Sequence, residues 1–151
     1  MKFLFAQPAK KRFAWELHTV INSLSKLGVD KKDIILLFAK EDDSVLMEFN
    51  DCKVYSYEDD RFDKSYITSI KPYLFYRYLS EDSERENETY VYLDSDTVIL
   101  DLEAFKVPVT KSRWYCSDTI GYIGLDYIKS VTNSSRTLEV MTELRRCPMG
   151  N

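Results

Sequence analysis

Two hydrophobic rhythms alternate along this chain. Short unbroken apolar runs at residues 3–6 (FLFA) and 34–39 (IILLFA) read as strands covered on both faces, as in a parallel sheet. Gln7 and Pro8 close the first run, because proline cannot donate to a ladder. Between the runs, Phe13, Trp15, Leu17, Val20, Ile21, Leu24 and Leu27 recur at steps suited to one helical face, which predicts a helix over 12–27 with Gly28 as its stop. Residues 53–57 alternate weakly and suggest a third strand nearer the edge. A second helix is expected over 69–80 (SIKPYLFYRYLS), with Ser69 as its cap and Pro72 in the first turn, where a missing N–H costs no helical bond.

The stretch 81–89 (EDSERENET) has no apolar side chain and must be a solvated connection. It leads into YVYL at 90–93, a buried strand on this reading, and then into an acidic turn. Val98, Ile99 and Leu100 resume apolar character. Further on, 114–117 and 120–125 read as short strands or one bent hairpin, and 126–130 and 134–146 as helices. Strand, helix, strand in sequence favours an open, mostly parallel α/β sheet with helices on both faces. The runs at 3–6, 34–39 and 90–93 are expected to be parallel neighbours whose carboxyl ends bring Gln7, Ala39 and Asp94 around one cleft.

Composition narrows the functional classes. The chain has 151 residues, the length of one ordinary domain, and a net charge of −4, which leaves no electrostatic footprint for nucleic acid. No apolar run approaches a membrane span, and the N-terminal apolar core is too short for a secretory signal. Three widely spaced cysteines suggest neither a disulfide framework nor a thiolate metal site, and a cytoplasmic, reducing setting is the expectation.

The chemistry is concentrated in YVYLDSDTVIL, residues 90–100. Asp94 and Asp96 stand one residue apart at a strand end, where a turn lets both carboxylates reach one ion. Mg²⁺ or Mn²⁺ takes hard oxygen ligands and often keeps only one or two protein carboxylates, leaving the rest to water and phosphate. The pair therefore suffices for a phosphate-bridging ion and not for a closed structural site. Placed near a core, the two charges would repel one another without a cation or proton.

Residues 70–105, with FLFAQP at 3–8, resemble the GT-A-fold glycosyltransferases of the glycogenin-like and lipopolysaccharide galactosyltransferase-like branch, in which a helix leads to a strand ending in a D-x-D motif. The resemblance implies a nucleotide-sugar donor, UDP-linked, and an acceptor of unknown kind. It implies that Asp94 and Asp96 hold Mn²⁺ or Mg²⁺ on the diphosphate, that Ser95 meets the donor ribose through its backbone, and that Lys71 faces the donor. Ala6, Gln7 and Pro8 then form the first strand's nucleotide-binding loop. Asp118, Thr119, Gly121 and Tyr122 look like that family's acceptor-side loop. The family adds a downstream metal ligand, often histidine, whereas the only histidine here is His18, far upstream and read as ordinary packing or surface. The expectation is a single nucleotide-sugar-binding domain over 1–151, incomplete at its C-terminus.

Two other readings fit the same residues. DSDTV also matches the D-x-D-x-T/V signature of haloacid-dehalogenase-like phosphohydrolases, with Asp94 as nucleophile, although that motif normally lies near the N-terminus. The third is a binding or structural domain without catalysis. Arg77 can neutralise a diphosphate with its planar fork, but in mid-helix it is expected to face solvent.

Overall fold

The computed structural model describes residues 1–110 together with residue 135. The strands, helices and cores below belong to the unit Met1–Val107. The strands and helices expected beyond residue 110, and the candidate loop at 118–122, lie outside the described residues apart from residue 135, which is helical.

Four parallel strands, β1 (Lys2–Pro8), β2 (Ile34–Ala39), β3 (Lys53–Tyr57) and β4 (Tyr90–Tyr92), form one sheet in the order β3-β2-β1-β4. The central pair is in register from Phe3 opposite Ile34 to Pro8 opposite Ala39. β4 pairs with the start of β1, Leu4 lying opposite Tyr92. The continuous apolar runs of β1 and β2 mark them as central, and every residue of β2 is buried. β3, with its weak alternation, lies at one edge of the described sheet.

The connections decide which face each helix covers. The chain moves from β1 through α1 (Lys11–Lys26) to β2 and on to β3, passing the short helix α2 (Asp43–Met47). It then reverses, and α3 (Ile70–Ser80) returns it to β4 on the far side of β1. Parallel crossovers are right-handed, so reversing direction puts α3 on the opposite face from α1. The packing agrees. Phe3, Phe5, Leu36 and Phe38 bury against Leu17, Val20, Ile21 and Leu24 of α1. Leu4, Ala6, Ile35 and Leu37 bury against Ile70, Leu74 and Tyr78 of α3. Each such Val, Leu, Ile or Phe side chain taken fully from water contributes about 1.5–3 kcal/mol before the entropy cost of ordering it.

Helix α1 starts one residue earlier than expected and stops where Gly28 adopts φ +86°. There the Gly28 N–H donates to the Ser25 carbonyl and the Val29 N–H to the Leu24 carbonyl, a closure that favours glycine. Helix α2, which the apolar pattern does not announce, is started by the Asp42 carboxylate accepting from the Ser44 N–H at 2.9 Å.

Two sequence expectations need correction. Ser69 precedes α3 but does not cap it: its backbone is already helical, and its hydroxyl donates to the Tyr66 carbonyl at 2.8 Å and accepts from Arg61. The helix is led in instead by a 3-10 turn at Ile67–Ser69. Pro72 does fall in the first turn. The 81–89 connection is solvated as expected, and within it Ser83–Asn87 form a 3-10 turn with Asp82 accepting from the Glu84 N–H. Finally, β4 is half-buried rather than buried, and Val98 and Leu100 are exposed. An apolar run marks what can be covered; it does not say that the neighbour covering it is present on both sides.

Candidate functional site at the carboxyl ends of β1 and β4

In an open parallel sheet ligands bind beyond the carboxyl ends of the strands, at the point where the strand order reverses. Here that point lies between β1 and β4. The residues that follow them are Ala9 and Lys10 on one side and Leu93–Asp96 on the other, and the Leu93 N–H still reaches the Leu4 carbonyl at 3.3 Å. The acidic pair stands at this edge because β4 is short: regular pairing ends at Tyr92, and Ser95 and Asp96 already turn. The Thr97 hydroxyl fastens the turn by donating to the Asp94 carbonyl at 2.7 Å.

Strand alternation distributes the side chains between the two faces. Val91 and Leu93 pack with the core on the α1 face, whereas Tyr90 packs with the α3 face and Tyr92 meets Phe75 of α3 edge-on at 4.9 Å. Asp94 continues the α3 series. Its Oδ1 forms an ion pair with Lys71 Nζ, at the start of α3, and accepts from the Tyr92 hydroxyl at 3.1 Å. Partial burial raises the Asp94 pKa, but Lys71 and the Tyr92 hydroxyl outweigh it and hold the carboxyl below the ordinary aspartate value. The Tyr92 phenol is pushed up, first by burial and then by the adjacent carboxylate.

Ser95 turns to the other face, where its hydroxyl donates to Glu16 Oε2 of α1 at 2.6 Å. Asp96 is exposed and has neither hydrogen bond nor ion pair among the described residues. The expectation that the acidic pair lies near the core is thus corrected: Asp94 keeps 54% of its side-chain surface, so mutual repulsion in a dry interior plays no part. What holds Asp94 is a lysine.

The residues expected to form the first loop divide by alternation as well. Ala6 is buried on the α3 face. Gln7 is only 5% exposed, and its amide nitrogen finds no partner among the described residues. Pro8 is half-buried opposite Ala39, and the following Ala9 N–H bonds to the Ala39 carbonyl at 2.9 Å. A buried amide donor left unpaired costs about 1–3 kcal/mol, which singles out Gln7 among the polar side chains of the sheet.

His18 is not drawn into this edge. Its ring lies 4.6 Å from that of Phe49 and its Nε2 is 3.0 Å from Glu48 Oε2. Arg77 does not simply face solvent: it binds the Tyr73 hydroxyl at 2.9 Å and Asp60 at 3.2 Å, and lies over the Tyr57 ring. Nor does it meet the acidic pair. A separate groove of about 490 Å³, between α1 and Val98–Leu100, is lined by the polar side chains of Thr19, Asn22, Ser23 and Lys26 together with Leu27 and the 98–100 run, with no carboxylate among the described residues that line it.

Among the described residues, no group of three or more histidine, cysteine or acidic side chains is arranged to hold a metal. The donor set at the edge is Asp94 and Asp96, hard oxygens that suit a hydrated divalent ion completed by phosphate and no closed structural site. Sequence reasoning named Lys71, Ser95 and both aspartates, but not Glu16. Only the helical face of α1 hinted at Glu16, which borders its apolar stripe. Comparison with protein families, with curated proteins and with solved structures finds no match.

Proposed function

We propose that this unit binds the diphosphate of a nucleotide sugar together with Mn²⁺ or Mg²⁺, as the donor-binding part of a metal-dependent glycosyltransferase. The observation that carries the reading is the acidic turn Asp94–Asp96 at the reversal point of a parallel sheet, with a lysine from α3 beside it. Asp94 and Asp96 would hold the ion. Lys71 supplies a cation to the phosphates, and the Gln7 amide, unpaired among the described residues, is a donor for an acceptor atom on the nucleotide. Ser95, tied to Glu16, fixes the backbone of the turn between the two carboxylates.

When bound, the ion supplies charge stabilisation for the diphosphate leaving group. The chain's own residues bind and orient the donor. The acceptor and the stereochemical course are not assigned, because pocket shape and the groups that meet the acceptor decide them.

Calorimetric titration of UDP in the presence of Mn²⁺ into the full chain and into Asp96→Ala tests the site. The expected outcome is metal-dependent UDP binding that weakens tenfold or more in the variant, a change of about 1.4 kcal/mol or more. Equal binding by both proteins removes the proposed role of Asp96. A stable beryllofluoride adduct on Asp94 would favour the phosphohydrolase reading instead. UDP binding with no sugar transfer to any acceptor would leave a non-catalytic binding domain.

A further inference from the structure

Lys71 and a divalent ion compete for the same carboxylate. Asp94 Oδ1 accepts from Lys71 Nζ and from the Tyr92 hydroxyl, while Asp96, one residue on, is exposed and has no partner among the described residues. A Mg²⁺-like ion sits about 2.1 Å from a carboxylate oxygen. With the ammonium hydrogen-bonded to that oxygen, ion and ammonium would be held within a few ångströms of one another, and like charges at that separation repel. Lys71 has somewhere else to go. It stands at the start of α3 on a flexible four-carbon stem, and its side chain is about one-third exposed (32%).

From this geometry we infer that Lys71 is a latch on Asp94 which an incoming diphosphate releases, so that the metal and the diphosphate bind cooperatively and the metal alone binds poorly. The inference rests on the donor-site reading above and states how that site is regulated. A diphosphate offers the ammonium a stronger anionic partner than one carboxylate. Once the lysine turns to phosphate, the ammonium no longer opposes the cation at Asp94, whose Oδ1 keeps only the neutral Tyr92 hydroxyl, and Asp96, exposed one residue on, is available to join it. Linkage makes the effect reciprocal: the metal, by taking Asp94, releases Lys71 to phosphate and tightens diphosphate binding by the same factor. The arrangement keeps the site from filling with metal when no donor is present.

The decisive variant is Lys71→Met, which keeps most of the stem and removes the charge. Mn²⁺ binding to the full chain, measured without nucleotide from the loss of the free-ion electron paramagnetic resonance signal, is expected to tighten by roughly fivefold or more over wild type, the lower end of ordinary coupling between sites. UDP binding measured without metal is expected to weaken in the same variant. These opposite signs are the signature of a latch. Lys10→Met, which removes an exposed lysine at the same edge of the sheet where it pairs with Glu41, controls for the general loss of positive charge and is expected to leave Mn²⁺ affinity within twofold.

Three results overturn the inference. Unchanged or weaker Mn²⁺ binding in Lys71→Met, with wild-type binding still lost in Asp96→Ala, removes the latch and leaves the donor site standing. Equal tightening in Lys10→Met and Lys71→Met reduces the effect to bulk charge. Absence of Mn²⁺ binding in wild type and Lys71→Met, with and without UDP, removes the donor-site reading and the latch together.

Discussion

The two faces of the sheet are built from different chemistry. The α1 face is mostly hydrocarbon: Phe3, Phe5, Phe38, Phe49 and the aliphatic stripe of α1 are buried together, and by strand alternation the buried amide of Gln7 follows Phe5 at the end of β1. The α3 face is amphipathic. Tyr57 and Tyr78 are buried there with Tyr55, Tyr73 and Tyr90 partly buried around them. Their rings meet edge-on, Tyr55 against Tyr78 at 4.9 Å, and the Arg85 guanidinium lies 4.1 Å over the Tyr78 ring. Their hydroxyls reach charges, as Tyr57 does with Glu81 at 2.9 Å. Tyrosine covers apolar strand surface with its ring and keeps its oxygen near water or an ion. A face made this way can carry polar groups up to the strand ends, and it is this face that delivers Lys71 and Tyr92 to Asp94. To the acidic turn the α1 face contributes the hydroxyl–carboxylate contact of Ser95 with Glu16, at its rim.

The sharpest way to break the contrast is to remove a ring from the hydrocarbon face. Phe5→Ala should cost about 3–5 kcal/mol, because Phe5 is 1% exposed and its removal leaves a cavity in the buried core. Urea unfolding reads this directly; a loss below about 1 kcal/mol would mean that the face is not close-packed. On the tyrosine face, Tyr57→Phe should cost only about 1 kcal/mol at neutral pH, since the ring remains and Glu81 turns to water.

The same substitution sharpens the contrast at alkaline pH. Burial first, and then the Glu81 carboxylate, raise the Tyr57 pKa above the ordinary tyrosine value, and burial does the same for Tyr90. Above about pH 10 the unfolded chain therefore binds fewer tyrosine protons than the native one, and stability falls as pH rises through that range. On the other face Cys52, pushed up to about 11 chiefly by burial, acts with the same sign from the ordinary thiol value upward. Tyr57→Phe should flatten the alkaline fall in unfolding midpoint. An unchanged slope would show that Tyr57 is not its source.

The smallest effect on stability belongs to the site. Lys71→Met and Asp94→Asn should each shift stability by less than about 1 kcal/mol, because the Asp94 side chain is 54% exposed and water screens the pair. The lowered Asp94 pKa gives the ion pair a stabilising contribution present above the unfolded aspartate value and lost as pH falls through the folded one. A large loss at neutral pH in either variant would make the pair part of the core and not of a binding edge.

The sequence alone determined the elements whose signal is local or periodic. Unbroken apolar runs marked β1 and β2, the helical stripe ending at Gly28 marked α1, and Pro72 marked the first turn of α3. It also placed the acidic pair at a strand end, because that position follows from where regular structure stops, whereas Lys71 at the same site was implied only by the family resemblance. The tertiary structure decided the partners. Whether Ser69 caps a helix or holds Arg61 depends on a loop folding back from residue 61. Whether β4 is buried depends on what lies beside it, and Arg77 answers to Tyr57 on β3 as well as to Tyr73 on its own helix. Ser95 and Glu16 are 79 residues apart in the chain, and no local periodicity relates them. That Lys71 binds Asp94 follows from the reversal of strand order, which sends α3 to the opposite face and aims its first turn at the even-numbered side of β4. Local signals specify conformation because they act over one or two turns of chain; contacts between distant residues are set by topology, which only the assembled sheet defines.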